Sequence, residues 1–301
     1  MAGISFSTAW QTGWLRMRER PGLAVLLYVF TALPAIIVAA PLYAAFVDSI
    51  GASGFGPALL EEFDIVVWGS FIGEIGQGFQ QMAGRLLWMV PLYLIWITAA
   101  RMGLIYALHL DAVWPFWPGV RYYTGAALVL ALLFVPIRVI WAAAAILGSG
   151  VLAAAIPNGV GVFWGYVVVL PLLLLLGLGY LHIAQRYAQM ALVTEHSRPA
   201  EAFKRGMFWA VGYKRSMTIY VAWFGVALFV ALVGALASDA FRPVGMAVWM
   251  FILLQQFIIL VRTMVTVGWT ASEVTYMESV VDEERPRLAD EYAMIGKMHS
   301  A

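Results

Sequence analysis

The chain has 301 residues, 63% of them apolar and only 12% charged, with a mean hydropathy of +0.85 and a formal net charge of +1. A soluble domain usually carries about twice that share of charge, so most of this surface faces lipid, and the near-neutral balance excludes a nucleic-acid binder with its concentrated basic excess. Cysteine is absent and the histidines (His109, His182, His196 and His299) are scattered, which removes thiolate chemistry and leaves no metal or cofactor to expect.

Residues 1–20 read as an interfacial amphipathic helix, with Phe6, Trp10, Trp14 and Met17 on one face and Arg16, Arg18 and Arg20 near its end. The apolar run that follows Pro21 has spanning length rather than the length of a signal-peptide core. Six such runs lie near 22–46, 85–108, 123–147, 160–184, 216–238 and 244–269. They are continuous rather than alternating, so they read as helices and not as barrel strands. Pro34, Pro91, Pro136 and Pro171 fall inside them, where neighbouring groups can re-satisfy a freed carbonyl. The expected fold is therefore an all-α integral membrane protein of six transmembrane helices arranged as three hairpins, a six-span domain over 21–276 with a cytoplasmic tail at 277–301.

Lysine and arginine set the orientation. Thirteen basic residues fall in the N-terminal segment, the connections around Arg121 and Arg186–Arg215, and the tail; only Arg85 and Arg242 fall on the other side. Both termini are thus expected inside (N-in/C-in), in a bacterial cytoplasmic (inner) membrane. The segment 57–82 sets Phe63, Val67, Phe71, Ile75 and Phe79 four apart, the period of an amphipathic helix on the outer face.

A threefold pattern runs through the chain. An aromatic and basic segment precedes each outward span: Ser5–Arg20, Trp114–Tyr123 and an inner elbow at 199–215. These are expected to be in-plane elbow helices, because aromatic rings favour the headgroup level. Arg101, Arg186 and Arg262 each stand toward the inner end of a returning span, and 13 residues separate Arg101 from Trp114 and Arg186 from Pro199 alike. Duplication and the shared needs of any N-in hairpin both account for the pattern.

The entering segment AWQTGWLRMRERPGLAVLLY, the stretches GPALLEEFD and FWPGVRYYTG, the run RYAQMALVTEHSRPAEAFKRG and LLQQFIILVR occur in this order. Together they resemble a large group of uncharacterised bacterial multi-pass membrane proteins, similar to the membrane domain joined to some bacterial glycerophosphodiester phosphodiesterases. The resemblance implies a fold; the soluble phosphodiesterase domain is absent, and no activity carries over.

Intramembrane arginine costs at least about 2.5–3.5 kcal/mol, so each such residue is a candidate site. Arg138 follows Pro136 in the third span, and its expected partner is internal: Gln255, Gln256, an outer acid or the carbonyl freed by Pro136. Arg101, Arg186 and Arg262 form an inner ring that binds anions, or snorkel to the headgroups. Gln255 and Gln256 are candidate polar contacts for a headgroup or between helices, and Gly161 with Gly165 form a helix-packing pair. His109 with Asp111, and Glu195 with His196, read as capped helix ends. No nucleophile motif, phosphate loop or metalloprotease signature is present, so no enzyme activity is expected. The expected role is a non-catalytic scaffold, accessory subunit or assembly factor among membrane lipids and other membrane subunits. A transporter or lipid-handling permease for an anionic substrate is the alternative, and an intramembrane enzyme ranks third.

Overall fold

The computed structural model describes residues 4–52, 89–156, 159–212, 214–240 and 247–298. Helices and the turns between them account for all of these residues, with no strand among them. The helices are α1 (Phe6–Glu19), α2 (Pro21–Ala52), α3 (Met89–His109), α4 (Phe116–Ala155), α5 (Val160–Thr194), α6 (Pro199–Gly212), α7 (Lys214–Ala240) and α8 (Ala247–Met298). Five helical stretches among the described residues are long and apolar enough to cross a membrane: Pro91–His109, Phe116–Ala155, Val160–Thr194, Arg215–Ser238 and Ile252–Glu283. The first expected span falls on α2, one helix of 32 residues. The amphipathic segment expected at 57–82 lies outside the described residues.

α1 begins where Ser5 caps it, the Ser5 hydroxyl accepting from the Thr8 backbone N–H at 3.1 Å. Such a cap satisfies one of the four N–H groups a helix start leaves open. The helix is amphipathic as expected, but it packs on protein. Ala9, Gly13 and Met17 are buried against α8, while Trp10 and Trp14 pack at a tilt on Trp223 of α7, at 4.7 and 5.2 Å between ring centroids. A Cβ on Gly13 would stand 2.6 Å from the Gly268 carbonyl oxygen, so only glycine permits this crossing. Arg20 pairs with Asp111 at 3.1 Å, and Arg16 donates to the Leu108 carbonyl at 3.1 Å. These two contacts fasten the end of α1 to the α3–α4 turn.

The second elbow does not form as a separate helix. After a turn at Trp114 and Pro115, α4 runs unbroken through 40 residues from Phe116. Pro118 falls in the first turn, where a missing N–H costs nothing, and so does not end the helix. A separate helix, α6, does stand at the third segment, and it folds back along the last turns of α5. Gly206 sits so close to Ala184 and Ala188 that a Cβ would lie 2.2 Å from the Ala184 carbonyl oxygen, and the Tyr180 hydroxyl donates to the Met207 carbonyl at 3.0 Å.

Gly161 and Gly165 pack within the chain. A Cβ on either would meet carbonyl oxygens of α4 residues Ala153 and Ser149 at 2.3 and 2.5 Å. The two glycines therefore close the α4–α5 hairpin. Around Gly165, Phe163–Val169 adopts π-helical hydrogen bonding ahead of Pro171. Proline supplies no N–H to the carbonyl four residues before it, and the wider turn is one way to absorb that loss.

The expected tail at 277–301 is not a separate region at its start. α8 continues as one helix of 52 residues, with Met277 and Val280 buried, and the Ser279 hydroxyl accepts from the Ile4 backbone N–H at 3.1 Å. The reason is the apolar face on these turns, which α1 covers. Two buried clusters result. One joins α1 and α3–α8 around Tyr187, Met190 and Trp223; the other joins α2, α3, α8 and the start of α4 around Leu23, Leu104 and Phe116.

A candidate anion site in an arginine-lined cleft

Arg186 lies in the second half of α5, where every residue from Ile183 to Thr194 except Gln185 is buried. Its guanidinium meets Glu273 of α8, itself fully buried. Nε donates to both carboxylate oxygens, at 3.0 and 2.9 Å, and Nη2 donates to Oε2. Trp269, one turn before Glu273, donates its Nε1–H to Oε1 at 2.7 Å, and its ring lies under the Arg186 guanidinium at 4.4 Å. Both carboxylate oxygens are thus taken. Such a fork is the geometry in which arginine recognises an acid best, and enclosure makes it costly to break from one side.

Beside this pair opens a cleft of about 440 Å³ between α2, α3, α5 and α8. Arg101 of α3, Arg186 of α5 and Arg262 of α8 all line it, so the three arginines that the sequence places at equivalent positions converge on one space. No carboxylate lines it among the described residues. Nη2 of Arg101 is buried and has no hydrogen-bond partner among them. Arg262 is exposed, and its side chain forms no ion pair there. Thr263, Thr266 and Thr270 of α8 form a row beside them, and each hydroxyl donates to the carbonyl four residues earlier, at 2.9 to 3.0 Å. Thr31 of α2 does the same toward Leu27, at 2.8 Å. These hydroxyls therefore offer lone pairs to the cleft, and the arginines are its strong donors.

Arg138 stands apart from this cleft. It donates from Nη2 to Oε1 of Gln185 at 2.6 Å, an internal tie across α4 and α5. The partner differs from those expected because Gln185 stands in the second half of α5, which packs against α4. Gln255 and Gln256 serve neighbouring helices: Gln255 donates to the Ser238 hydroxyl of α7 at 2.6 Å, and Gln256 accepts from the Tyr28 hydroxyl of α2. They point to different sides, and neither lines the arginine cleft.

The span-end pairs are also rearranged. His109 Nδ1 lies 2.7 Å from Glu278 of α8, leaving Asp111 to Arg20; Glu195 pairs with Arg205 at 3.4 Å. Asp111 and His196 both adopt left-handed backbone, with φ of 49° and 53°. Each ends a helix ten residues after an arginine, Arg101 and Arg186. Those two units of the repeat share a turn as well as a spacing.

Sequence reasoning missed Glu273, because it lies beyond the expected end of the sixth span. The available signal was Trp269 and Glu273 four apart, on one helix face. No protein-family model, curated protein or solved structure matches this chain.

Proposed function

We propose that this protein is a six-span membrane protein, N-in and C-in, that holds the anionic headgroup of a lipid or similar amphiphile in the arginine-lined cleft, as a lipid-handling permease or carrier. The observation that carries the reading is Arg101, which lines a cleft shared with Arg186 and Arg262 and whose buried Nη2 has no protein acceptor among the described residues. A cation so placed within a bilayer costs several kcal/mol unless paired, which makes an external anion its natural partner. A scaffold needs no such group, so the lipid-handling reading stands ahead of it. The thirteen-to-two basic asymmetry supports the orientation, which puts the arginine end of the bundle toward the cytoplasm.

The reading is tested by the lipid that copurifies. Wild-type protein extracted in mild detergent is expected to retain anionic phospholipid above its share in the membrane, and Arg101→Gln is expected to lose that enrichment while remaining folded. Equal anionic lipid in both proteins overturns the proposal. Topology is tested separately by Ser197→Cys, the chain having no native cysteine; labelling of that residue by an impermeant thiol reagent in intact cells would contradict N-in/C-in.

A further inference from the structure

We infer that the cleft is built for a terminal phosphate, a dianionic phosphomonoester, rather than for the monoanionic phosphodiester of an ordinary phospholipid. The inference rests on the anion-binding reading above and narrows it to a chemical class.

Charge is the first ground. Three arginines line the cleft, and one carboxylate, Glu273, pairs with one of them, Arg186. Glu273 is engaged on both oxygens by Arg186 and Trp269, so it has nothing left for Arg101 or Arg262. Two positive charges thus remain, on α3 and α8. A phosphodiester would compensate one and leave the other bare in a medium that solvates charge poorly. A terminal phosphate, whose second proton leaves at a pKa of about 6, compensates both at neutral pH.

Donor geometry is the second. Each guanidinium presents planar N–H groups suited to two oxygens at once. A phosphodiester has two non-bridging oxygens and a phosphomonoester three, so the monoester offers two arginines on facing helices one more charged acceptor to share between them. The threonine row adds no competing donors, since its hydroxyl protons are held by helix carbonyls.

The cleft also fits the remainder of such a molecule. At about 440 Å³ it has room beyond a phosphate, and that room is walled by Leu27, Ile97 and Ile259. Ile97 and Ile259 are 37% and 40% exposed, so the wall opens on the apolar surface of the bundle. A phosphate bound at the arginines can carry a hydrocarbon chain out along that wall.

The test uses the full chain in phosphatidylcholine nanodiscs doped in turn with phosphatidic acid, which ends in a phosphomonoester, or phosphatidylglycerol, a phosphodiester. Bound lipid is read by native mass spectrometry at mildly alkaline pH. Phosphatidic acid is expected to be retained about tenfold or more over phosphatidylglycerol, a difference of about 1.4 kcal/mol. The preference should disappear in Arg101→Gln and in Arg262→Gln, the latter being an exposed position whose loss does not threaten folding. Adding glycerol 3-phosphate distinguishes the source: failure to displace the lipid assigns a lipid-borne phosphate, and displacement at comparable concentration assigns a water-borne one, with the phosphomonoester class upheld either way. Equal retention of the two lipids, still dependent on Arg101, overturns this inference and leaves the anion site standing. Retention of neither, or retention indifferent to Arg101, overturns both.

Discussion

The two halves of α5 are built on opposite rules. From Val160 to Leu176 the helix leaves Val162, Phe163, Trp164, Val167, Leu172 and Leu175 exposed, and it meets α4 through Gly161, Gly165 and the Leu173 carbonyl, which accepts from Trp141 Nε1 at 3.0 Å. From Leu181 to Thr194 nearly every side chain is enclosed, by α6 on one side and α3, α4 and α8 on the others, and this half holds Gln185, Arg186 and Gln189. Lipid is as apolar as leucine, so burying leucine against protein yields little unless the fit is close, whereas a polar group in the same solvent must be covered by protein. Burial in this molecule therefore follows the polar residues. The apolar half is bounded by lipid, and the arginine half is bounded by helices.

That contrast is sharpest at its most enclosed pair. Glu273→Gln should be the most damaging single change, about 3–5 kcal/mol, because Arg186 would remain buried without its acid; reversible unfolding in mixed micelles measures it. A loss under about 1 kcal/mol would mean that the pair is hydrated and the enclosure incomplete. Next comes truncation within α5 itself. Leu181→Ala should cost about 2–5 kcal/mol as a cavity in packed protein, whereas Leu175→Ala, at a position 68% exposed, should stay within about 0.5 kcal/mol. Similar costs at the two positions would erase the distinction between the halves.

Glycine substitution makes a finer comparison. Gly206→Ala forces a Cβ against the Ala184 carbonyl and should cost about 1–3 kcal/mol through overpacking. Gly148→Ala, with nothing within 4 Å of the added carbon, should gain up to about 1 kcal/mol from helix propensity. The smallest expected effect is the most diagnostic. Arg101→Gln removes a guanidinium whose buried Nη2 has no acceptor among the described residues, so the lipid-free protein should be unchanged or slightly stabilised. A loss comparable to that of Glu273→Gln would show that Arg101 holds the fold together rather than awaiting an anion.

The sequence shows the apolar runs plainly, since continuous hydrophobicity of spanning length has few other readings. It also places Arg101, Arg186 and Arg262 at matching positions, and their convergence follows once the helices assemble. Their partners are less legible. Glu273 reads as lying past the end of a span, because hydropathy cannot see that α1 and α5 pack against α8 around it. Arg138 reads as needing an acceptor, but which of several glutamines supplies it depends on helix order and rotation, which no local pattern encodes. The aromatic face of α1 reads as a membrane anchor for the same reason: a row of tryptophans looks alike whether its neighbour is lipid or Trp223.

α8 is one uninterrupted helix of 52 residues. Along it stand, in order, Arg262 and the threonines of the cleft, Glu273, and then Glu278 and Ser279, which meet His109 and the start of the chain. From Arg262 to Ser279 the axis covers about 25 Å at 1.5 Å per residue. With no hinge along that length, the helix behaves as a lever. A tilt of a few degrees at the arginines becomes a displacement of an ångström or more at Ser279, where the backbone of Ile4 is fastened.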